Sequence, residues 1–155
     1  MLDPAFILIV EDEHSHGEAL KEGLERTGHV CHLVESGDEA LESLRQKIPH
    51  VVITDFRLGG NMTGLDVLKA VRLMSVWTQG ILITAHGDEK IARDALIEGG
   101  AYDYLKKPLD LDHVREVVNR AARQAMTLRE NQAMREQLDT AFSFDLSSNV
   151  RVVGS

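Results

Sequence analysis

Short apolar runs rich in β-forming residues alternate with segments of helical periodicity along most of this chain. The continuous runs Phe6–Val10 and Val51–Thr54 are typical of strands that are buried on both faces. Three further strands are predicted at Val30–Val34, Gly80–Ile83 and Asp103–Leu105, and a helix is predicted after each strand. Five repeats of a strand followed by a helix predict an α/β fold with a parallel sheet and right-handed crossovers.

The length, hydropathy and charge of the chain exclude some classes of protein. The 155 residues predict one domain that is large enough to bury a sizeable core. No apolar stretch approaches the ~20 residues of a membrane span, and the N-terminus lacks the pattern of a signal peptide, so a cytoplasmic location is expected. The net charge of −8 falls within residues 1–111, where no basic stripe occurs. Such an acidic body argues against nucleic-acid binding by these residues.

The use of cysteine and histidine gives no sign of a zinc site. Cys31 is the only cysteine and lies within an apolar run, which predicts a buried, inert thiol and excludes an intrachain disulfide. The seven histidines are scattered along the chain, and we expect them at the surface or in loops.

Four of the predicted strands lead into polar residues of complementary kinds. Glu11 and Asp12 follow the first strand, and Asp55 follows the third. Thr84 follows the fourth strand, and Lys107 lies just beyond the fifth. Open α/β sheets bind their ligands at the edge where the carboxyl ends of the strands meet. We therefore expect three acids, a hydroxyl and a lysine to converge there.

This set of side chains suits phosphoryl transfer. A carboxylate can attack phosphorus to give an acyl phosphate, which makes Asp55 the candidate nucleophile. Glu11 and Asp12 would complete an all-oxygen cluster of the kind that binds Mg²⁺. Lys107 could pair with Asp55 and then with the phosphoryl group, to which the Thr84 hydroxyl could also donate. Each residue by itself is better explained by a polar turn, a helix cap, a β-forming residue or a solvated charge, but their joint placement at four strand ends favours a site.

The sequences around these residues resemble the receiver domain of two-component response regulators. The resemblance covers residues 6–122 and is carried by Ile7–Glu13, Ile53–Asp55, Leu82–Ala85 and Tyr102–Pro108. It implies a flavodoxin-like, doubly wound sheet of five parallel strands in the order 2-1-3-4-5, followed here by an extended C-terminal helix. It also implies a sensor histidine kinase as partner, and no enzymatic activity beyond the chain's own phosphorylation and dephosphorylation.

The resemblance assigns roles to the residues of the acidic cluster. It makes Asp55 the phosphoacceptor and Mg²⁺ the cofactor, bound by Asp55 and Asp12. Glu11 would bind the ion through water, and the backbone carbonyl of Arg57 would be a further ligand. Arg57 and His86 occupy the two positions that flank the attacking water in the family, where they would affect the lifetime of the phosphoryl group.

A second group of residues carries the implied switch. Thr84 would be the switch hydroxyl, Lys107 the active-site lysine, and Tyr104 the aromatic residue whose rotamer follows Thr84. The bond between Lys107 and Pro108 is expected to be cis. The loop after the phosphoacceptor departs from the family pattern at Leu58-Gly59, where Met-Pro is common, so we expect this loop to differ in shape.

The periodicity becomes purely helical from Leu111 onward, with no Gly or Pro before Gly154. Small and hydrophobic residues recur at heptad-like spacing at Val114, Val118, Ala121, Ala125 and Leu128. A solvated terminal helix and a dimerising coiled coil both fit this pattern, and the seam favours the coiled coil. The predicted organisation is a receiver domain (1–122), a helical linker (123–142) and a tail (143–155).

The long helix and the following Val150–Ser155 resemble the corresponding junction of NtrC-type regulators. This resemblance implies the N-terminal part of a longer transcriptional activator, with residues 143–155 at the start of an ATPase domain that acts on sigma-54 RNA polymerase. A homodimer is expected through the linker helix and through the face formed by the fourth helix, fifth strand and last helix. The sequence does not decide whether phosphorylation makes or breaks that dimer.

Two other function classes stay open. A haloacid-dehalogenase-type phosphatase also uses an aspartyl nucleophile, Mg²⁺, Thr and Lys. That family needs a second Asp two residues after the nucleophile as a general acid and base, and this chain has Arg57 there. A receiver-like interaction or dimerisation module that works without phosphorylation is the main alternative, and the presence of all the site residues argues against it.

Overall fold

Parallel strands form one five-stranded sheet with helices on both faces in the computed structural model of the chain. The structure describes the backbone of residues 3–154 and the side chains of residues 3–143. The elements are β1 (Phe6–Val10), α1 (His14–Glu25), β2 (Val30–Val34), α2 (Gly37–Gln46), β3 (Val51–Asp55), α3 (Gly64–Met74), β4 (Gln79–Thr84), α4 (Glu89–Ile97), β5 (Asp103–Lys106) and α5 (Leu111–Gly154). The strand order is β2-β1-β3-β4-β5, which confirms the predicted flavodoxin-like fold.

Alternation along the strands builds two cores, one on each face of the sheet. Ile7 and Ile9 of β1 pack with residues of α1 and α5. Leu8 and Val10 point to the other face and pack with residues of α2, α3 and α4. Both faces of β1 are therefore fully buried, as its continuous hydrophobic run predicts for a central strand of a parallel sheet.

Local sequence signals set the ends of the helices. Ser36 caps α2 by accepting a hydrogen bond from the amide three residues later at 3.1 Å. Thr63 and Asp66 form a reciprocal capping box at the start of α3. Gly28, with φ at +94°, follows α1 in the left-handed conformation that glycine favours. A helix therefore follows each of these strands, as the sequence predicts, and its ends are set by local capping signals.

The first part of α5 belongs to the core of the domain. Val114, Val118, Ala121 and Ala125 have 1% or less of their surface exposed, and Leu128 is half-buried. The chain's own fold therefore covers four of the five residues of this stripe, which packs against the sheet as the last helix of the domain, and a dimer seam is left to the residues that follow. A stripe with the same spacing of three and four residues occurs on any helix that covers a sheet, which is why the pattern was ambiguous.

The second part of α5 extends past the sheet. Met134, Leu138 and Phe142 are exposed by 60%, 67% and 65%, so a dimer seam stays a prediction for this part. The backbone continues as one helix across the predicted boundary at residue 143 and reaches Gly154. The side chains of residues 144–155 lie outside the described residues, and their assignment to another domain stays a prediction. Among residues 3–154, no helix has both the length and the apolar character of a membrane span.

Two histidines lie in loops at the amino edge of the sheet, in line with the surface or loop positions expected from the sequence, but His29 is buried. His29 precedes β2 and is only 4% exposed. Its Nδ1 accepts a hydrogen bond from the Ala5 amide at 3.1 Å, and its Nε2 bonds to Oδ1 of Asn119 at 2.7 Å. His50 precedes β3 and accepts a hydrogen bond from the Phe6 amide at 2.9 Å. A backbone amide thus supplies a hydrogen-bond partner to each imidazole, the buried His29 and the half-buried His50.

Trp77, in the loop between α3 and β4, connects the amino edge to α5. Its ring centroid lies 5.7 Å from that of His50. The Arg129 guanidinium of α5 lies 4.9 Å from the centroid of the Trp77 ring, within the range of a cation–π interaction. Contacts between α5 and the domain therefore extend past residue 122, where the predicted receiver domain ends.

Candidate functional site

The parallel register brings the ends of β3, β4 and β5 together at the carboxyl edge. Asp55, the last residue of β3, pairs with Ile83, and Thr84, the last residue of β4, pairs with Lys106. The Lys107 amide donates to the Thr84 carbonyl at 2.8 Å, which continues the register one residue past β5. The candidate nucleophile, hydroxyl and lysine therefore lie on adjacent strands.

Three carboxylates and one ammonium group form the centre of the site. Carboxylate oxygens of Glu11, Asp12 and Asp55 all lie within 4.8 Å of one another. Glu11 and Asp55 are buried, whereas Asp12 is exposed. Lys107 Nζ lies 3.0 Å from Asp55 Oδ2 and 3.5 Å from Glu11 Oε1. His16 Nδ1 also lies 3.5 Å from Glu11 Oε1, a neighbour that sequence reasoning missed because His16 is on α1 rather than at a strand end.

Electrostatics of the cluster favour a bound cation. Burial raises the pKa of Glu11, and the Asp55 carboxylate raises it further. Lys107 acts in the opposite direction, and the pKa of Glu11 rises from 4.5 to about 8. Burial lowers the pKa of Lys107, but its hydrogen bond to Asp55 and the nearby acid charges outweigh burial and raise that pKa. A cation at the cluster would relieve the repulsion that keeps Glu11 protonated.

Two buried polar atoms at this edge have no hydrogen-bond partner. Among the described side chains, Glu11 Oε2 and Thr84 Oγ1 are the only buried nitrogen or oxygen atoms in this condition. Buried polar groups are nearly always paired, so an unpaired one indicates a missing ligand or a functional role. An unpaired carboxylate oxygen in an all-oxygen cluster fits Mg²⁺, and an unpaired hydroxyl fits an added group with acceptor oxygens.

The loop between β3 and α3 lies close to the acidic cluster. A Cβ atom placed on Gly59 would lie 3.8 Å from Asp12 Oδ2. Gly64, at the start of α3, comes so close to the Asp55 carbonyl that a Cβ atom there would lie 2.0 Å from its oxygen. Glycine at position 64 therefore lets α3 begin directly beside the candidate nucleophile. The Lys107–Pro108 bond of the facing loop is cis, as expected.

Arg57 joins this loop to the loop between β4 and α4. Its Nε and Nη2 atoms donate to Oδ2 and Oδ1 of Asp88, both at 3.0 Å. Arg57 was a predicted site residue, whereas Asp88 was not. The position of Asp88, directly before the predicted helix at Glu89, was a signal for a polar capping residue that could have identified it.

The remaining predicted residues lie around the centre of the site. Tyr104 is half-buried and packs against the core on the α2, α3 and α4 side of the sheet. His86 is exposed in the loop before α4, with its Nδ1 3.7 Å from Glu89 Oε1. Glu89 also pairs with Lys106 at 2.9 Å, and the hydrogen bond to Lys106 is the main cause that lowers the pKa of Glu89 to about 2.

Comparison with known protein families gives one clear match. The response regulator receiver domain matches residues 7–119 of this chain. The DNA-binding transcriptional regulator NtrC of Klebsiella pneumoniae is 39% identical over 113 residues, which are 73% of this chain and 24% of NtrC. The luminescence regulatory protein LuxO of Vibrio campbellii is 37% identical over 121 residues, 78% of this chain and 26% of LuxO. The chain thus spans about a quarter of the length of these relatives.

Solved structures agree with this match. The crystal structure of NtrX from Brucella abortus superimposes with a TM-score of 0.77 at 28% identity, covering 85% of this chain and 30% of NtrX. A response regulator receiver domain protein from Clostridium thermocellum gives a TM-score of 0.76 at 29% identity, covering 80% of this chain and 98% of that protein.

Proposed function

The chain belongs to the response regulator receiver domain family, and from this premise we propose that Asp55 accepts a phosphoryl group from a sensor histidine kinase. Receiver domains are regulatory domains, so the only chemistry proposed is the chain's own phosphorylation and dephosphorylation. The observation that carries the proposal is the buried Asp55 carboxylate, 3.0 Å from Lys107 Nζ and clustered with Glu11 and Asp12.

In the proposed transfer, an Asp55 oxygen attacks the phosphorus of a phosphohistidine. A new O–P bond forms as the P–N bond breaks, and the imidazole of the kinase leaves with the electron pair and takes up a proton. Lys107 then pairs with the phosphoryl oxygens, and the Thr84 hydroxyl donates to one of them. The unpaired state of Thr84 Oγ1 supports this role because the hydroxyl has no competing partner to give up.

Glu11, Asp12, Asp55 and the backbone carbonyl of Arg57 are the residues that would hold Mg²⁺. When bound, the ion neutralises the negative charge that would otherwise oppose transfer of an anionic group onto a carboxylate. The all-oxygen donor set and the unpaired Glu11 Oε2 support this assignment. An apolar cavity of about 620 Å³ beside Glu11 and Lys107, lined also by Leu20 and Val114, gives a protein phosphodonor a surface to approach.

We propose that the phosphoryl group acts as a switch on the assembly of the protein. Recruitment of Thr84 would shift the β4–α4 loop and change the packing of Tyr104 on β5, and with it the neighbouring face formed by α4, β5 and α5. That face and the exposed stripe of Met134, Leu138 and Phe142 would form a homodimer. The output would be transcriptional control of the sigma-54 type in the cytoplasm, as the similarity to NtrC and LuxO suggests.

Intact mass measurement tests the central step. Incubation with acetyl phosphate and Mg²⁺ is expected to add one phosphoryl group to the wild-type chain, and to add none without Mg²⁺ or in Asp55→Ala. Asp94→Ala, which removes an exposed acid of α4, is the matched control and should be phosphorylated normally. No mass gain in the wild type would refute the proposal and favour an interaction module that works without phosphorylation.

A second measurement tests the proposed dimer. Light scattering at micromolar concentration should find the wild type dimeric in at least one phosphorylation state, and Leu138→Lys should weaken the dimer by placing a charge on the exposed stripe. Gln137→Lys, at the neighbouring helix position, is the matched control for the added charge. A wild type that stays monomeric with and without the phosphoryl group would contradict the dimer.

A further inference from the structure

The two loops that border Asp55 are joined by one bidentate ion pair. Arg57 lies two residues after Asp55, and its guanidinium makes two hydrogen bonds of 3.0 Å to the carboxylate of Asp88. The two loops follow the neighbouring strands β3 and β4. The amide of Phe56, at the start of the first loop, donates to the carbonyl of Ile83 in β4 at 2.8 Å. The pair therefore spans the mouth of the site, from the loop after the nucleophile to the loop after Thr84.

The two partners of this pair differ in their surroundings. The Arg57 side chain is 75% exposed, so it can move without losing packing, whereas the Asp88 side chain is only 6% exposed. Asp88 also occupies the N-cap position of α4, where an aspartate normally accepts a hydrogen bond from one of the first helical amides. Here its side chain makes no such bond. The carboxylate that could cap α4 is instead held by Arg57.

We propose that a phosphoryl group on Asp55 takes Arg57 from Asp88, so that Arg57 becomes a phosphoryl-binding residue and Asp88 becomes the side-chain cap of α4. This inference rests on the proposed phosphorylation of Asp55. A phosphoryl group carries about −1.5 to −2 charges near neutral pH, against −1 for a carboxylate. Guanidinium groups bind both in the same bidentate manner, so the more highly charged partner that forms beside Arg57 competes with Asp88.

The fate of Asp88 follows from its burial. A buried carboxylate that loses its cation cannot remain unpaired without a large cost, and an aspartate at an N-cap position has donors available in the first amides of its own helix. Capping those amides, at Lys90 and Ile91, would tighten the first turn of α4. Asp88 therefore acts as a positioning residue, which transmits the state of Asp55 to α4 through Arg57.

Amide hydrogen exchange measured by NMR at Lys90 and Ile91 tests the exchange of partners. In the wild type, beryllofluoride with Mg²⁺, a stable phosphoryl analogue, should slow exchange at one or both amides by about fivefold, the factor that one N-cap provides. Arg57→Gln should give the same slowing without beryllofluoride, because the substitution frees Asp88. Asp88→Ala should give no slowing under either condition. Arg93→Gln, at an exposed arginine of α4, should behave as the wild type.

The Arg57 side chain provides a second, independent readout. The chemical shift of the Arg57 Nε–H group should differ between the wild type and Asp88→Ala in the untreated proteins. This difference should disappear once beryllofluoride is bound. The lifetime of the phosphoryl group should change in Arg57→Gln and be closer to that of the wild type in Arg57→Lys, which keeps the charge. A structural role for the pair would produce neither result.

The outcomes separate this inference from the proposed function. If the wild type gains no phosphoryl mass, the proposed function fails, and the Arg57→Gln protein still decides whether Asp88 caps α4 when released. If the wild type is phosphorylated but Lys90 and Ile91 exchange at unchanged rates, the inference alone is refuted. Unchanged exchange in untreated Arg57→Gln, with the fold intact by its remaining amide resonances, would also overturn it.

Discussion

Both edges of the sheet carry polar residues next to the strand ends, but these residues differ in whether their buried polar groups have hydrogen-bond partners. At the amino edge, His29, His50 and Thr78 each directly precede a strand, and each is hydrogen-bonded to backbone groups. At the carboxyl edge, Glu11 follows β1 and Thr84 ends β4, and each has a buried oxygen without a partner.

This difference distinguishes residues that stabilise the fold from residues whose unpaired polar groups are available to bind a ligand. A paired buried polar group contributes to stability, whereas an unpaired one costs free energy until something binds it. The amino edge is therefore complete in the folded chain, whereas a cation and a phosphoryl group would complete the carboxyl edge under the proposed function. Substitutions at the two edges should accordingly change the free energy of unfolding in opposite directions.

The largest expected effect is the pH dependence that Glu11 confers on the metal-free protein. Its pKa is about 8 in the folded chain against 4.5 as its ordinary value, so folding is unpenalised below pH 4.5 and is progressively destabilised as the pH rises to about 8. Relative to Glu11→Gln, the wild type should lose on the order of 3–5 kcal/mol across this interval. Urea denaturation in EDTA at several pH values measures the difference. Saturating Mg²⁺ should remove most of this loss of stability. If the unfolding free energies of the wild type and Glu11→Gln depend on pH in the same way in EDTA, the raised pKa of Glu11 is contradicted.

At the amino edge, His29→Ala should destabilise the protein by about 2–3 kcal/mol. The substitution leaves the Ala5 amide buried without an acceptor and removes the partner of Asn119. Urea denaturation provides the measurement. His32→Ala, at an exposed histidine of β2, is the matched control and should change stability by less than about 0.5 kcal/mol. Equal effects of the two substitutions would mean that the hydrogen bonds of His29 contribute nothing.

Two threonines allow the same substitution at both edges. Thr78→Val should cost about 1–2 kcal/mol, because its hydroxyl donates to the Pro49 carbonyl at 2.7 Å. Thr84→Val in the metal-free protein should be neutral or stabilising by up to ~1 kcal/mol, since the lost hydroxyl has no partner. Urea denaturation curves of the wild type, Thr78→Val and Thr84→Val measure the two changes in unfolding free energy. A destabilising Thr84→Val would show that the two edges are alike in this respect.

The smallest expected effect concerns the anchor of α5 at the amino edge. Arg129→Ala should lower the unfolding free energy by about 0.5–1 kcal/mol through loss of the contact with the Trp77 ring. Arg135→Ala, one to two turns further along α5 and exposed, is the matched control. Differential scanning calorimetry can resolve the two. If the two substitutions change stability equally, the contacts of α5 that stabilise the domain end before Arg129.

Much of the fold and of the site was predictable from the sequence because their signals are local. Continuous hydrophobic runs identified β1 and β3, and the residue that follows or ends each strand must lie at the carboxyl edge once the strands are parallel. Asp55, Glu11 and Lys107 were therefore placed together correctly as neighbours. The ligands and roles assigned to them stay predictions.

Other features were missed because they depend on partners distant in sequence. His29 was expected at the surface or in a loop, and only its contacts with Ala5 and Asn119 explain why its loop position is buried. Asp88 has an ordinary capping position in the sequence, and only the structure places it opposite Arg57. A helix covering a sheet and a helix in a coiled coil bury the same spacing of residues, so only the structure shows how far along α5 the stripe is covered by the domain, which is to Ala125.

The sequence by itself determined the order and type of the elements, since hydrophobic periodicity, helix caps and glycines act over a few residues. It also determined which chemical groups stand at the strand ends. Tertiary structure decided which of those groups are paired, because hydrogen bonds and ion pairs join residues far apart in the chain. That pairing divides the satisfied amino edge from the unsatisfied carboxyl edge, where Glu11 and Thr84 keep buried oxygens free for a ligand.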